Sequence, residues 1–145
     1  MKLMRILATK SGPVITIRPE QPVREAVALL TRHNIGALVV VGEENDNPVG
    51  IISERDIIRR AAEDEDVFSQ PVSELMTHKV ITGVPQDDLI SVINTMTERR
   101  FRHLPVVDNG KLIGIISIGD ILKVQRDQYR GEIDTLETQL LADET

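Results

Sequence analysis

The feature that most constrains this chain is that it is written twice. The stretch "VITIRPEQPVREAVALLTRHNIGALVVV", from Val14, aligns without a gap on "VITGVPQDDLISVINTMTERRFRHLPVV", from Val80, at an offset of 66 residues (80 − 14). The phrase "GIISERD" from Gly50 then recurs as "GIISIGD" from Gly114, at an offset of 64 (114 − 50). The second copy has therefore lost two residues from one turn, a change that leaves the flanking strands free to pair.

Each copy carries one order of elements. A short β-rich piece (Val14 to Ile17, Val80 to Thr82) meets a proline turn, which bars an immediate helix. A helix follows, its apolar face marked by Val23, Ala26, Val27 and Leu30 in one copy and by Leu89, Val92, Ile93 and Met96 in the other. Two apolar strands come next, "ALVVV" and "VGIIS", joined by the turn-rich "GEENDNP". Their counterparts "HLPVV" and "LIGIIS" are joined by "DNGK", whose Asn109-Gly110 pair is a tight-turn signal. A second helix then starts at Ser53 or Ser117.

Near-continuous apolar strands imply sheets covered by helices. A unit of about sixty residues buries its apolar face only marginally alone. The expected fold is therefore α/β (α+β-like): two pseudo-twofold-related β-α-β-β-α repeats packed sheet to sheet, with a long C-terminal helix. The boundaries read as 1–70 for an N-terminal segment plus repeat one, 71–127 for repeat two, and 128–145 for a helical tail. Between the repeats, "PVSELM" reads as a short helix with Pro71 early and Ser73 as its cap. In the tail, Leu122, Tyr129 and Leu136 fall seven apart, with Ile133 and Leu140 in the alternate position. Arg126 and Gly131 interrupt that coiled-coil-like stripe, and a frayed amphipathic tail fits the pattern equally well.

Several function classes drop out on composition. With no cysteine, disulfides and thiolate chemistry are excluded. A net charge of −6 argues against a general affinity for nucleic-acid backbones, and 2% aromatics against base-stacking platforms. No stretch approaches the length of an apolar membrane span, and "MKLMRILATK" lacks a signal peptide's apolar centre, so a cytoplasmic location is expected. No Walker loop, zinc-protease motif or Ser-His-Asp arrangement is present.

The pieces "MTHKVIT", "HLPVVD" and "GIISIGD", together with the tandem repeat, resemble the cystathionine-β-synthase (CBS) domain, and Val14 to Ala61 resembles a second one. The resemblance covers nearly the whole chain and implies a CBS pair, or Bateman module. Such pairs bind adenine-containing ligands (AMP, ADP, ATP, S-adenosylmethionine, NAD) in clefts between the repeats, and commonly dimerise into a flat disc.

The resemblance assigns ribose and phosphate contacts to Ser117 and Asp120 in the second cleft, and to Ser53 and Asp56 in the first. A carboxylate offers several acceptor sites and suits a vicinal diol, while helix-start amides favour phosphate. Ser followed three residues later by an acid is also a capping box, and the two roles are compatible. In "ERRFRH", Arg99, Arg100, Arg102 and His103 crowd a helix end, where cations complement the helix dipole. The resemblance gives Arg100 to a ligand phosphate and lets Arg102 and His103 begin a strand lining the second cleft. The matching positions of the first are Asn34, Gly36 and Ala37, with only Arg32 and His33 as nearby bases, which implies different phosphate recognition or room for a larger group. Thr82 and Thr16 match a position that touches adenine or ribose, though β propensity alone also explains them. His78 and Lys79 read as linker charge. No catalytic or metal-binding residue is expected.

The leading function is thus a regulatory adenine-nucleotide sensor (AMP, ATP or NAD type) without a catalytic cofactor, a homodimer acting through an unidentified protein effector and touching neither nucleic acid nor membrane. A ligand-free structural or dimerisation module and an S-adenosylmethionine sensor are the alternatives. An enzyme akin to the CBS-carrying inosine-monophosphate dehydrogenases would need a barrel and a cysteine nucleophile, and the chain has neither.

Overall fold

Two cores, each built around one copy of the repeat, organise the computed structural model, which describes residues 1–10, 12–43 and 47–143. The first repeat contains β1 (Thr16–Ile17), α2 (Val23–His33), β2 (Ala37–Val41), β3 (Pro48–Ser53) and α3 (Glu54–Ala61), after a short helix α1 (Leu3–Leu7). A 3-10 turn (Val67–Ser69) and α4 (Val72–Leu75) lead to the second repeat, α5 (Leu89–Arg99), β4 (His103–Asp108) and β5 (Lys111–Ser117). Helix α6 (Ile118–Asp143) ends the described chain.

The repeat survives as matched geometry. β2 pairs antiparallel with β3, setting Ala37 opposite Ser53, and β4 pairs with β5, setting His103 opposite Ser117. Each ladder shifts register at the same place, between Val40 and Val41 and between Val106 and Val107. α2 and α5 both end on a left-handed residue, Asn34 (φ 51°) and Arg100 (φ 57°). Asparagine is at home there and arginine is not. The hairpin at Asn109 (φ 50°) and Gly110 (φ 77°) has the two positive φ angles of a type I′ turn. The equivalent turn in copy one lies in part outside the described residues.

Three local expectations change. β1 keeps only Thr16–Ile17 of the stretch from Val14, pairing parallel with β2, and the strand expected at Val80 to Thr82 shrinks to a single parallel bridge from Gly83 to Val106. At α4 the capping position is Pro71, and the Ser73 amide instead donates to the Pro19 carbonyl at 2.9 Å.

The third change concerns which segment completes which core. Leu3 and Ile6 of α1 are fully buried among Leu89, Val92, Met96, Leu104, Ile116 and Ile121 of the second repeat. The Leu3 and Met4 amides donate to the Asp87 and Pro85 carbonyls at 3.0 Å each, tying α1 to the turn before α5. Conversely, Val67, Val72 and Leu75 join the core of the first repeat. Thr77 and Ile51 exchange amide-to-carbonyl bonds of 2.8 and 3.1 Å, laying the crossing chain on β3. Gly50 permits that approach, since a Cβ there would sit 2.5 Å from Met76 Sδ and 3.0 Å from the Thr77 carbonyl oxygen. Each repeat is thus finished by the segment that precedes the other in sequence.

Candidate functional site

The two strand-to-helix junctions share one local device. β3 ends on Ser53 and α3 starts at the next residue, and β5 ends on Ser117 as α6 starts. In both, the serine hydroxyl accepts from the aspartate amide, Asp56 at 3.2 Å and Asp120 at 3.0 Å. Each carboxylate in turn accepts from its serine's backbone amide at 2.9 Å. Reciprocal capping of this kind satisfies two orphan amides and holds the aspartate at the first helical turn.

The second junction opens on a cavity. About 630 Å³ in volume, it is walled by Ser117, Asp120, His103 and Gly114 of repeat two and by Ile15, His33, Asn34, Gly36 and Ala37 of repeat one. Lys10, between α1 and β1, closes one side. Its ammonium donates to Asp120 Oδ2 at 2.8 Å and to the Ile115 carbonyl at 2.6 Å. The symmetry-related junction carries no such cation among the described residues.

Electrostatics follow from these contacts. Burial pushes the Asp120 carboxyl up, but the hydrogen bonds and charge of Lys10, with those from Ser117, outweigh it and leave the group below its usual range. Asp120 is ionised at neutral pH. Burial lowers the His103 imidazole below 6.5, helped by Lys10 and Arg102 and opposed by Asp120 and Glu54. The ring is therefore mainly neutral at pH 7. Gly36 stands beside it, where an added Cβ would come 3.5 Å from His103 Nε2 and 3.0 Å from Glu54 Oε1.

The cavity brings together residues that the sequence divides between two clefts. Gly36 and Ala37 join Ser117, Asp120 and His103, whereas Ser53 and Asp56 line neither this cavity nor a smaller one. Arg100 is exposed at the α5 terminus and Arg102 is exposed at the next turn, and neither lines the cavity. Thr82 lies in the smaller hollow of about 370 Å³ with Asp87, Asp88, Ser91 and Thr95. Thr16 sits in β1, while its neighbours Val14 and Ile15 face the cavity. Lys10 was not among the expected residues. Its signal is the likeness of "ILATK" to "ELMTHK", which makes it the counterpart of His78.

Among the described residues no group of three or more His, Asp or Glu could hold a metal ion, and no helix is long and apolar enough to cross a membrane. Comparison with known proteins finds the CBS domain model matching residues 6–63 and 72–127. The chain is 34% identical over 113 residues to CBS domain-containing protein YhcV of Bacillus subtilis, covering 78% of this chain and 79% of that one. The structure superimposes on the CBS domain pair of protein MJ0100 in complex with 5-methylthioadenosine and S-adenosyl-L-methionine with TM-score 0.76, at 29% identity, covering 88% of this chain and 98% of that one. It matches CBS domain protein PAE2072 from Pyrobaculum aerophilum, complexed with AMP, with TM-score 0.73 at 27% identity, over 83% and 89% of the two chains.

Proposed function

The chain belongs to the CBS-domain family as a tandem pair of such domains, and we propose that it is a regulatory module whose ligand is an adenine nucleotide bound between the repeats. The observation that carries this reading is the ionised Asp120 carboxylate at the first turn of α6, in a cavity walled by both repeats. Capping and Lys10 both use Oδ2. Oδ1 is then the acceptor for ribose hydroxyls, and the start of α6, with Lys10 and His103 near, favours an anion. A cavity of about 630 Å³ falls in the range of small-ligand sites. Relatives of this fold hold AMP, or 5-methylthioadenosine with S-adenosylmethionine. The cation at Lys10 favours the phosphate-bearing member of that set over the sulfonium.

A ligand touching both walls acts on the relative position of the repeats. It can bias a two-state equilibrium only through different affinities for the two states, and a protein effector reads the result. A second ligand position is supported by the repeat itself. Its offset carries Asn34 and Gly36, which wall the Asp120 cavity, onto Arg100 and Arg102, and so sets these arginines on the side of Ser53 and Asp56.

A thermal-shift panel of AMP, ATP, NAD, adenosine and S-adenosylmethionine tests the reading. A ligand at a hundred times its dissociation constant adds about 2.7 kcal/mol of stability, so with all ligands at one common concentration the phosphate-bearing ones should raise Tm most. No shift with any of them would favour a ligand-free dimerisation module.

The pH dependence of binding has a definite sign. A phosphate near His103 raises the imidazole pKa from its lowered value in the free protein, so the complex takes up a proton. Affinity for phosphate-bearing ligands should therefore rise as pH falls from about 8 to about 5.5, the range in which histidine titrates. Titration calorimetry of wild type beside His103→Gln separates this from the ligand's own titration. Identical slopes in the two proteins would remove His103 from phosphate recognition.

A further inference from the structure

Helix α6 leaves the body of the protein after its first two turns. Ile121 is buried and Val124 partly so, both in the second core. Beyond them Tyr129, Ile133, Leu136 and Leu140 are each between 53% and 64% exposed, along one continuous helix. With Leu122 these residues step by four and three, the a/d spacing of a coiled coil, and only Arg126 stands out of type in that row. Four large apolar side chains on a protruding helix require a cover, and the charges beside them identify it.

We infer that this part of α6 pairs antiparallel with the same helix of a second copy of the chain. In the parallel arrangement every seam layer sets a residue against itself. Arg126 would meet Arg126 within the seam, Asp143 would meet Asp143, and the flanking Glu132 would face Glu137 on both sides. All these contacts are repulsive.

Run antiparallel, with Ile133 against Leu136 and Tyr129 against Leu140, the same residues become complementary. Arg126 then falls opposite Asp143, and Arg130 falls beside Glu137. The twofold axis makes each contact occur twice. Arg126 touches its neighbour Asp127 at 3.5 Å within the chain, a pair more than half exposed on both sides and weakly held. Gly131 lies on the far side of this seam, with open space around it. The interruption seen in the sequence is therefore an orientation signal: a charge in the seam is tolerated in one direction of pairing and opposed in the other.

The chain has no cysteine, so single thiols report the pairing directly. Tyr129→Cys and Leu140→Cys chains would be prepared separately at full length, then mixed, allowed to exchange and oxidised. In the antiparallel pair residue 129 meets residue 140, while 129 and its own copy lie about 16 Å apart along the axis at 1.5 Å per residue, beyond disulfide reach. A disulfide dimer should form in the mixture and in neither chain alone. Arg130→Glu in both chains should reduce its yield, and adding Glu137→Arg should restore it. Disulfide dimers from either chain alone would overturn the proposal in favour of parallel pairing. No disulfide in any combination would show that this stripe is not covered by a second copy.

Discussion

Truncating Ile6 to alanine is expected to destabilise the protein by about 2–5 kcal/mol, the range for deleting a large aliphatic side chain from a packed core. For a chain of this size each kcal/mol lowers Tm by about 3–5 °C. By position in sequence Ile6 belongs to a short leading segment, far from the second repeat. It is nevertheless fully buried, against the second repeat's Met96, Leu104 and Ile116. Met4 on the same helix is half exposed and is the internal control. Met4→Ala should leave Tm nearly unchanged, and thermal unfolding of the two variants side by side gives the answer. Equal, small shifts would mean that α1 does not complete the second core. A large loss from Ile6→Ala alone would also show that the repeats cannot be parted by cutting the chain between them.

How much of this was legible in the sequence depends on the range of the interaction. The offsets of 66 and 64 residues, the apolar faces of α2 and α5, the Asn109-Gly110 hairpin and the Ser-x-x-Asp capping are local or repeated patterns, and they read directly. The crosswise exchange of α1 and α4 did not, because helices of five and four residues are too short to show a period. Without that exchange, Lys10 has no visible reason to meet Asp120. At the arginine-rich end of α5, Arg100 and Arg102 adjoin His103 in sequence, yet of the three only His103 lines the cavity, alongside Asn34 and Gly36, which hold the arginines' places in the first repeat. Which wall faces which carboxylate is a property of the packed pair, not of either repeat.

In the function proposed above, Asp120 anchors an adenine-nucleotide site. Titration calorimetry of AMP into wild type, Asp120→Ala and Asp56→Ala at one pH and low salt tests that role. A carboxylate accepting hydrogen bonds contributes roughly 1.5–3 kcal/mol, so Asp120→Ala should weaken AMP binding about ten- to a hundredfold. Asp120→Asn keeps the shape of the site without the charge and should lose most of the same affinity, which separates ligand contact from loss of the helix cap. Asp56→Ala, whose carboxylate lines neither described cavity, should retain the tight binding step. If Asp120→Ala and Asp120→Asn both bind AMP as wild type does while Asp56→Ala loses it, the site is on the other side of the pair and Asp120 is not its anchor.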